Sequence, residues 1–154
     1  NNSNAIISQL NDTIWVLKKE ALSLTAVSDR LKNFISRIQK SYPAINVEVK
    51  EAITTDHLLP SSQAFHLYRI LQEAVNNALK HSKGRNIIIQ VSSGQSWKIM
   101  VRDDGVGIAG EKMQNSSGNG LLNMKERCRE AGWEISWEKT AEAGTTLSVG
   151  PTTN

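Results

Sequence analysis

The sequence predicts a two-layer α/β sandwich, in which a five-stranded sheet is covered on one face by three helices and preceded by a further helical segment. Five short runs alternate apolar with polar residues, which is typical of strands that bury only one face. Three stretches, over 25–41, 61–81 and 119–131, carry apolar residues at helical spacing. A sheet with one apolar face needs a single layer of helices against it. The 154 residues are 39% hydrophobic and 21% charged, as in an ordinary folded domain with a short appendage.

Four helical segments follow from the spacing of apolar residues. Over 7–24 these residues step by three and four, the seam of a helix that packs on other helices, and we interpret this segment as the end of a longer helical hairpin. An amphipathic helix is predicted from Thr25 to Ser41, before Tyr42-Pro43 stops it. The other two helices are predicted over 61–81 and 119–131.

Strands and one long loop occupy most of the remaining chain. The loop between Gly105 and Gly120 is polar, contains glycines and lacks hydrophobic periodicity. A loop of that length in a compact domain is usually functional, and we predict a lid. The apolar positions of the five predicted strands are Ile45, Val47 and Val49; Ile87, Ile89 and Val91; Trp97, Ile99 and Val101; Trp133, Ile135 and Trp137; and Leu147 and Val149.

Charge and cysteine content narrow the class of protein. The net charge is +3, but Lys and Arg are scattered, so a nucleotide suits the charge and direct binding of nucleic acid is not expected. The single cysteine, Cys128, excludes an internal disulfide, and its helical spacing predicts a small buried thiol. No stretch approaches the roughly 20 apolar residues of a membrane span, which predicts a soluble chain. We expect a cytoplasmic fragment of a membrane-bound receptor, since the chain starts without methionine.

The helix predicted over 61–81 carries a polar stripe beside its apolar flank. Glu73, Asn77 and Lys80 fall within one narrow sector, with Glu73 and Asn77 one turn apart. Such a stripe is most often a solvated face. It also suits a nucleotide, because an amide oxygen can complete a Mg²⁺ held by phosphates, a nearby carboxylate can accept a proton, and Lys80 would complement the phosphates. His81, at the helix end, suits a phosphate contact and a capping role equally well.

A carboxylate is predicted to emerge at the end of the third strand. Odd-numbered residues from Trp97 onward face the core, so Asp103 lies on the apolar face and needs a hydrogen-bond donor. Adenine offers an amino donor on a flat apolar body, and Gly105 and Gly107 would let the backbone approach it. An ordinary Asp-Gly turn is the alternative. Thr145 falls on the buried side of the last strand, where its hydroxyl could meet adenine, directly or through water, or bond to backbone.

A second glycine pair precedes the last predicted helix. Gly118 and Gly120, followed by Leu121, would expose backbone amides where the helix dipole is positive, which favours triphosphate oxygens. The pattern is not the GxxxxGK[ST] loop, and it follows a polar loop rather than a strand, unlike a dinucleotide fingerprint. A single Gly-x-Gly is weak evidence, so its meaning depends on the other motifs.

Taken in order, these motifs resemble the N, G1, G2 and closing boxes of the GHKL ATPase superfamily, whose Bergerat-type fold implies a mixed, mostly antiparallel sheet. The resemblance covers about residues 45–150. The short lid and the run from Gly118 to Arg127 resemble the corresponding segments of histidine kinases that are paired with NarL/LuxR-type DNA-binding regulators. The boxes are Glu73-Ala74-Val75-Asn76-Asn77-Ala78-Leu79-Lys80-His81, Asp103-Asp104-Gly105-Val106-Gly107, Gly118-Asn119-Gly120-Leu121 and Gly144-Thr145-Thr146.

The resemblance implies a role for each box. Asn77 would hold Mg²⁺, Asp103 would read the amino group of adenine, and Glu73 would assist proton removal from an attacking histidine. The implied reaction is transfer of the γ-phosphoryl group of ATP to that histidine, for relay to a response regulator. Residues 1–24 would be the C-terminal part of the dimerisation and phosphoacceptor hairpin, and residues 25–154 the ATP-binding catalytic domain. The pocket and lid would be shaped by Gly105, Gly107, Gly118 and Gly120.

One departure from the family pattern concerns the phosphoacceptor. Such kinases carry it early in the hairpin, but the first histidine here is His57, outside any such helix, and His66 is expected to be a surface or packing residue. We therefore predict ATP binding without autophosphorylation, and the homodimer that the resemblance implies is expected to form through the N-terminal helix. A GHKL serine kinase of the anti-sigma type, an ATP-driven clamp and a degenerate nucleotide-binding module are the alternatives. The helical seam favours the sensor kinase, while Glu73 and Asn77 count against degeneration.

Overall fold

The computed structural model describes residues 20–81, 84–105, 120–139 and 144–152, without the side chains of residues 81 and 120–122. Three helices and a five-stranded sheet form an α/β sandwich, which confirms the predicted fold class. Helices α1, α2 and α3 span Leu24–Ile38, Ser61–His81 and Gly120–Ala131, and the 3-10 turn Gln39–Ser41 follows α1. The strands are β1 (Leu22–Ser23), β2 (Asn46–Ile53), β3 (Leu58–Leu59), β4 (Asn86–Ser93), β5 (Trp97–Asp103), β6 (Trp133–Lys139) and β7 (Thr145–Pro151).

The strand order brings the end of one central strand next to the start of another. In the order β2-β4-β5-β7-β6, β2 and β4 are parallel and the other neighbours are antiparallel, so the sheet is mixed and mostly antiparallel as predicted. β5 ends at Asp103 and β7 begins at Thr145, in a register that pairs Arg102 with Thr146. Asp103 and Thr145 therefore lie at the same end of adjacent strands.

The core lies between the helices and the apolar face of the sheet. The odd-numbered residues of β5 are buried, whereas Lys98 and Arg102 are exposed, as the alternation predicts. Cys128 is buried, and burial raises the pKa of its thiol to about 11, so it is the inert core residue expected. The most deeply buried helical side chains include Leu24, Leu31, Leu67, Ile70, Leu71, Val75 and Met124.

The start of α1 departs from the prediction. Residues 20–21 belong to no helix or strand, β1 pairs with β3 in a two-stranded ribbon, and α1 begins at Leu24. The predicted continuation of the first helix to Leu24 is therefore wrong. The reason is local, because the Ser23 hydroxyl accepts a hydrogen bond from the Ala26 N–H at 3.1 Å and caps a new helix. The rest of the seam lies in residues 1–19, outside the described residues, so its assignment to a hairpin stays a prediction.

Candidate functional site

A narrow cleft lies between α2, α3 and the strands β5, β6 and β7. Its cavity of about 30 Å³ brings together Asn77, Asp103 and Thr145, three residues that the sequence predicts to bind a nucleotide. An apolar slot with a few convergent polar groups is the usual form of a small-molecule site. The rest of the lining consists of Ala74, Ala78, Val101, Met124, Trp137 and Leu147.

Asp103 gives the cleft a buried carboxylate. The residue is 6% exposed, the Gly105 N–H donates to its Oδ1 at 3.0 Å, and the Thr145 N–H also donates to the carboxylate. Burial holds the pKa of Asp103 above its ordinary value, and the charge of Asp104 acts in the same direction, while the two backbone donors oppose them. A carboxylate has about four acceptor positions, so this one keeps capacity for a donor on a ligand.

Thr145 lies where the alternation predicts, but its backbone also contributes to the site. It is buried at the first position of β7, on the same face as Leu147. Its N–H stabilises the Asp103 carboxylate, an interaction that a side-chain pattern does not reveal. The predicted contact between the Thr145 hydroxyl and adenine stays a prediction.

The predicted residues on α2 differ in their distance from the cleft. Asn77 is half-buried and lines it. Glu73, one turn earlier, is half-buried but is not part of the lining, and Lys80 is exposed. His81 ends α2, and its side chain lies outside the described part of the structure. The helix thus places the amide in the cleft and the carboxylate one turn away.

The glycine boxes fall only partly within the described residues. Gly105 is buried, and its N–H orients Asp103. Gly120 is the first residue of α3, followed by Leu121, whose side chain is not among those described. Outside the described ranges lie the predicted lid, Gly107 and Gly118, so their roles stay predictions.

Sequence reasoning missed a latch that joins Asp104 to the connection between α2 and β4. The Asp104 carboxylate accepts hydrogen bonds from the Arg85 N–H at 2.8 Å, the Asn86 N–H at 2.9 Å and the Asn86 side-chain amide at 2.8 Å. These donors, the Asn86 side chain first, lower the pKa of Asp104. Gly84 makes room, because a Cβ there would overlap Asp104 Oδ1 and lie 2.6 Å from the Gly105 nitrogen. The only sequence signal is a glycine after a helix, which equally suits an ordinary cap.

Comparison with known protein families identifies the family of the chain. A sequence profile of the family described as histidine kinase-, DNA gyrase B-, and HSP90-like ATPase matches residues 62–153. The chain belongs to this ATPase family. ATP is therefore the nucleotide that the family implies for the cleft.

The curated relatives of this family member include sensor proteins. The chain is 30% identical over 135 residues to the sensor protein VraS of Staphylococcus saprophyticus, covering 86% of this chain and 37% of VraS. It is 30% identical over 146 residues to VraS of Staphylococcus haemolyticus, covering 92% and 40%. The chain thus spans about two fifths of the length of these relatives.

Histidine kinases are among the solved structures that share this fold. The ATP binding domain of PrrB from Mycobacterium tuberculosis matches with a TM-score of 0.67 at 21% identity, over 87% of this chain and 98% of that domain. The histidine kinase AdeS of Acinetobacter baumannii gives 0.70 at 16% identity, over 99% and 81%. These likenesses confirm the fold. Together with the sensor-protein relatives, they agree with the predicted ATP-binding kinase domain of a sensor kinase.

Gly84→Ala is expected to weaken ATP binding about tenfold, because the added methyl group would push the Asp103–Gly105 backbone out of place. Calorimetric titration with ATP measures the effect. Gly94→Ala is the matched control, since a Cβ there meets only Thr54 Oγ1 at 3.5 Å, an ordinary contact. Equal ATP affinity in the two variants would contradict a role for the latch in holding Asp103.

Proposed function

We propose that this domain transfers the γ-phosphoryl group of Mg²⁺-ATP to a histidine outside this chain, as the catalytic part of a sensor histidine kinase. The observation that carries the proposal is the meeting of Asp103 and Asn77 in one cleft. ATP needs a partner for its adenine and a partner for its phosphates. The cleft offers a carboxylate suited to adenine and an amide suited to a phosphate-bound metal. Positioning and neutralisation of charge supply most of the catalysis in such transfers.

The donor chemistry at Asn77 fits Mg²⁺ that arrives with ATP. Within the described residues, no group of three or more His, Cys, Asp or Glu side chains could hold a metal ion. A single amide ligand suffices when phosphate oxygens and water fill the other positions. Bound in this way, Mg²⁺ would neutralise charge on the phosphoryl group.

Each residue of the site then has a distinct task. Asp103, oriented by two backbone donors, would accept a hydrogen bond from the amino group of adenine. Guanine carries an oxygen at that position, so the same carboxylate would reject GTP. Glu73 would take the proton from the attacking imidazole, one turn from the metal ligand Asn77. Lys80 and His81, which follow on α2, would contact the phosphates.

The partners follow from the same proposal. The acceptor would be the histidine hairpin of the full-length kinase. Residues 1–24 would form the C-terminal part of that hairpin and connect it to this domain. A homodimer would form through the same helical segment. The phosphoryl group would pass to a response regulator with a DNA-binding output of the NarL/LuxR type. No helix in the described part of the chain is long and apolar enough to cross a membrane. We place the domain on the cytoplasmic side of a membrane-bound receptor, where ATP is available.

Transfer from labelled ATP to a supplied hairpin fragment tests the proposal. The chain alone should yield no phosphohistidine. His57 Nε2 lies 2.9 Å from the Gly94 carbonyl oxygen, and His66 Nδ1 lies 3.0 Å from an Arg127 nitrogen, so both rings make structural contacts. Adding a hairpin with an acceptor histidine should give acid-labile label on that hairpin.

Other outcomes of this assay would favour the alternatives. Acid-stable label on a serine of a partner protein would favour a kinase of the anti-sigma type. ATP binding without transfer to any acceptor would favour a module that only binds nucleotide. Stable labelling of the isolated chain would contradict the assignment of the acceptor to another segment.

A further inference from the structure

Trp137 carries a hydrogen-bond donor that no described residue accepts. Its indole N–H is buried and has no hydrogen-bond partner within the described part of the chain. Buried polar groups are almost always paired, so each exception calls for an explanation such as a ligand or an ordered water. The indole N–H can only donate, and the missing partner must therefore be an acceptor.

The position of Trp137 connects this donor to the nucleotide cleft. Trp137 lies on β6 opposite Leu147, and it lines the cleft together with Asp103. The ammonium group of Lys125, on α3, lies 5.7 Å from the centre of the indole ring. The indole is thus packed between α3 and the sheet, on a strand that carries no residue predicted from the sequence to bind the nucleotide.

The cleft must widen before a purine can enter it. A cavity of about 30 Å³ admits about one water molecule. β5 and β7 are each hydrogen-bonded to a strand on both sides, whereas β6 lies at one edge of the sheet and, among the described residues, pairs with β7 alone. Among the strands that line the cleft, β6 can therefore move with the fewest broken backbone hydrogen bonds. Its contribution to the lining is Trp137.

We propose that Trp137 is a nucleotide-contacting residue, which meets the bound purine through its N–H edge and donates to a purine ring nitrogen or to a water bound there. The inference rests on the proposed function, because it assigns a further residue to the same site. Adenine and guanine both carry ring-nitrogen acceptors such as N7, so this contact would depend little on the identity of the base. Trp137 would thus stabilise the bound purine, while Asp103 selects adenine.

Trp137→Phe tests the donor, since it keeps an aromatic ring and removes the N–H. Titrations use a Trp15→Phe background, so that emission comes from Trp97, Trp133 and Trp137 alone. ATP should change the emission of the background protein. Trp137→Phe should abolish that change and weaken ATP binding about threefold to tenfold, which corresponds to one net hydrogen bond.

Trp133→Phe is the matched control. Trp133 packs edge to face on Trp97, with ring centres 5.1 Å apart, and does not line the cleft. This variant should keep the ATP affinity and the emission change.

Two results would overturn the inference. The first is that saturating ATP leaves the fluorescence emission of the background protein unchanged. This measurement does not use Trp137→Phe, so it stays valid even if that variant fails to fold. The second is full ATP affinity in Trp137→Phe while Asp103→Asn loses it, which leaves the proposed function intact. A wild-type protein that binds no ATP would instead overturn the proposed function together with this inference.

Discussion

Glu73→Gln is expected to reduce phosphoryl transfer to a supplied histidine hairpin by ~10²–10⁴-fold while leaving ATP affinity nearly unchanged. Glutamine keeps the size and hydrogen-bonding capacity of glutamate, but it cannot take the proton of the attacking imidazole. Glu73 lies one turn before Asn77 on α2 and outside the lining of the cleft, so its replacement should not disturb bound nucleotide. Single-turnover transfer rates and calorimetric affinities on the same protein provide the two readouts.

Asn77→Ala provides the contrast, because it removes the proposed metal ligand and should lower both Mg²⁺-ATP binding and transfer. Asn76→Ala is the matched control, since Asn76 is also half-buried on α2 but does not line the cleft. It should behave nearly as wild type. Full transfer by Glu73→Gln would reduce Glu73 to a structural residue. Loss of ATP binding in that variant would contradict the separation of proton transfer from metal binding.

Local periodicity was enough to place most of the cleft. Counting in twos along β5 from Trp97 puts Asp103 on the buried face, and the same count along β7 does so for Thr145. The helical period likewise puts Asn77 beside the apolar flank of α2. Because a residue's face depends only on its own element, these placements need no knowledge of distant contacts.

The features that sequence reasoning missed depend on contacts between distant segments. Asp104 is 18 residues from Asn86 and 19 from Arg85, and it meets them because β4 and β5 pair antiparallel. The β1–β3 ribbon joins strands of two residues, which are too short to show a period. The alternation of β6 predicts a core position for Trp137, but it cannot predict that the indole N–H lacks a partner among the described residues, because that depends on contacts with other elements.

Asp103→Asn is expected to weaken ATP binding by about 10- to 100-fold. The substitution keeps an acceptor for the Gly105 N–H, but it places an NH₂ donor where adenine presents its own amino donor. Calorimetric titration measures the loss, with Gly94→Ala as a protein of unaltered cleft. Wild-type affinity in Asp103→Asn would contradict the assignment of Asp103 to adenine.

The same substitution is expected to stabilise the nucleotide-free protein at neutral pH. Burial holds the folded-state pKa of Asp103 above its unfolded value. The contribution of this group to stability is therefore fully present below the unfolded pKa and is lost as the pH rises through the folded pKa. Asparagine does not titrate, so the free energy of unfolding of Asp103→Asn should rise relative to wild type across that window. A ligand contact would then be lost without any loss of fold.

Asp104→Asn, at the next residue, is the control, because it should change the free energy of unfolding in the opposite direction. Hydrogen bonds from the side chain and backbone of Asn86 hold the pKa of Asp104 below its ordinary value. Its contribution is therefore present above the unfolded pKa and is lost as the pH falls through the folded pKa. Asp104→Asn should destabilise the protein at neutral pH, and the difference from wild type should shrink in acid. Urea unfolding of both variants from about pH 3 to about pH 7 checks the two signs. If both substitutions changed the free energy of unfolding in the same direction, the two adjacent carboxylates could not lie in opposite electrostatic environments.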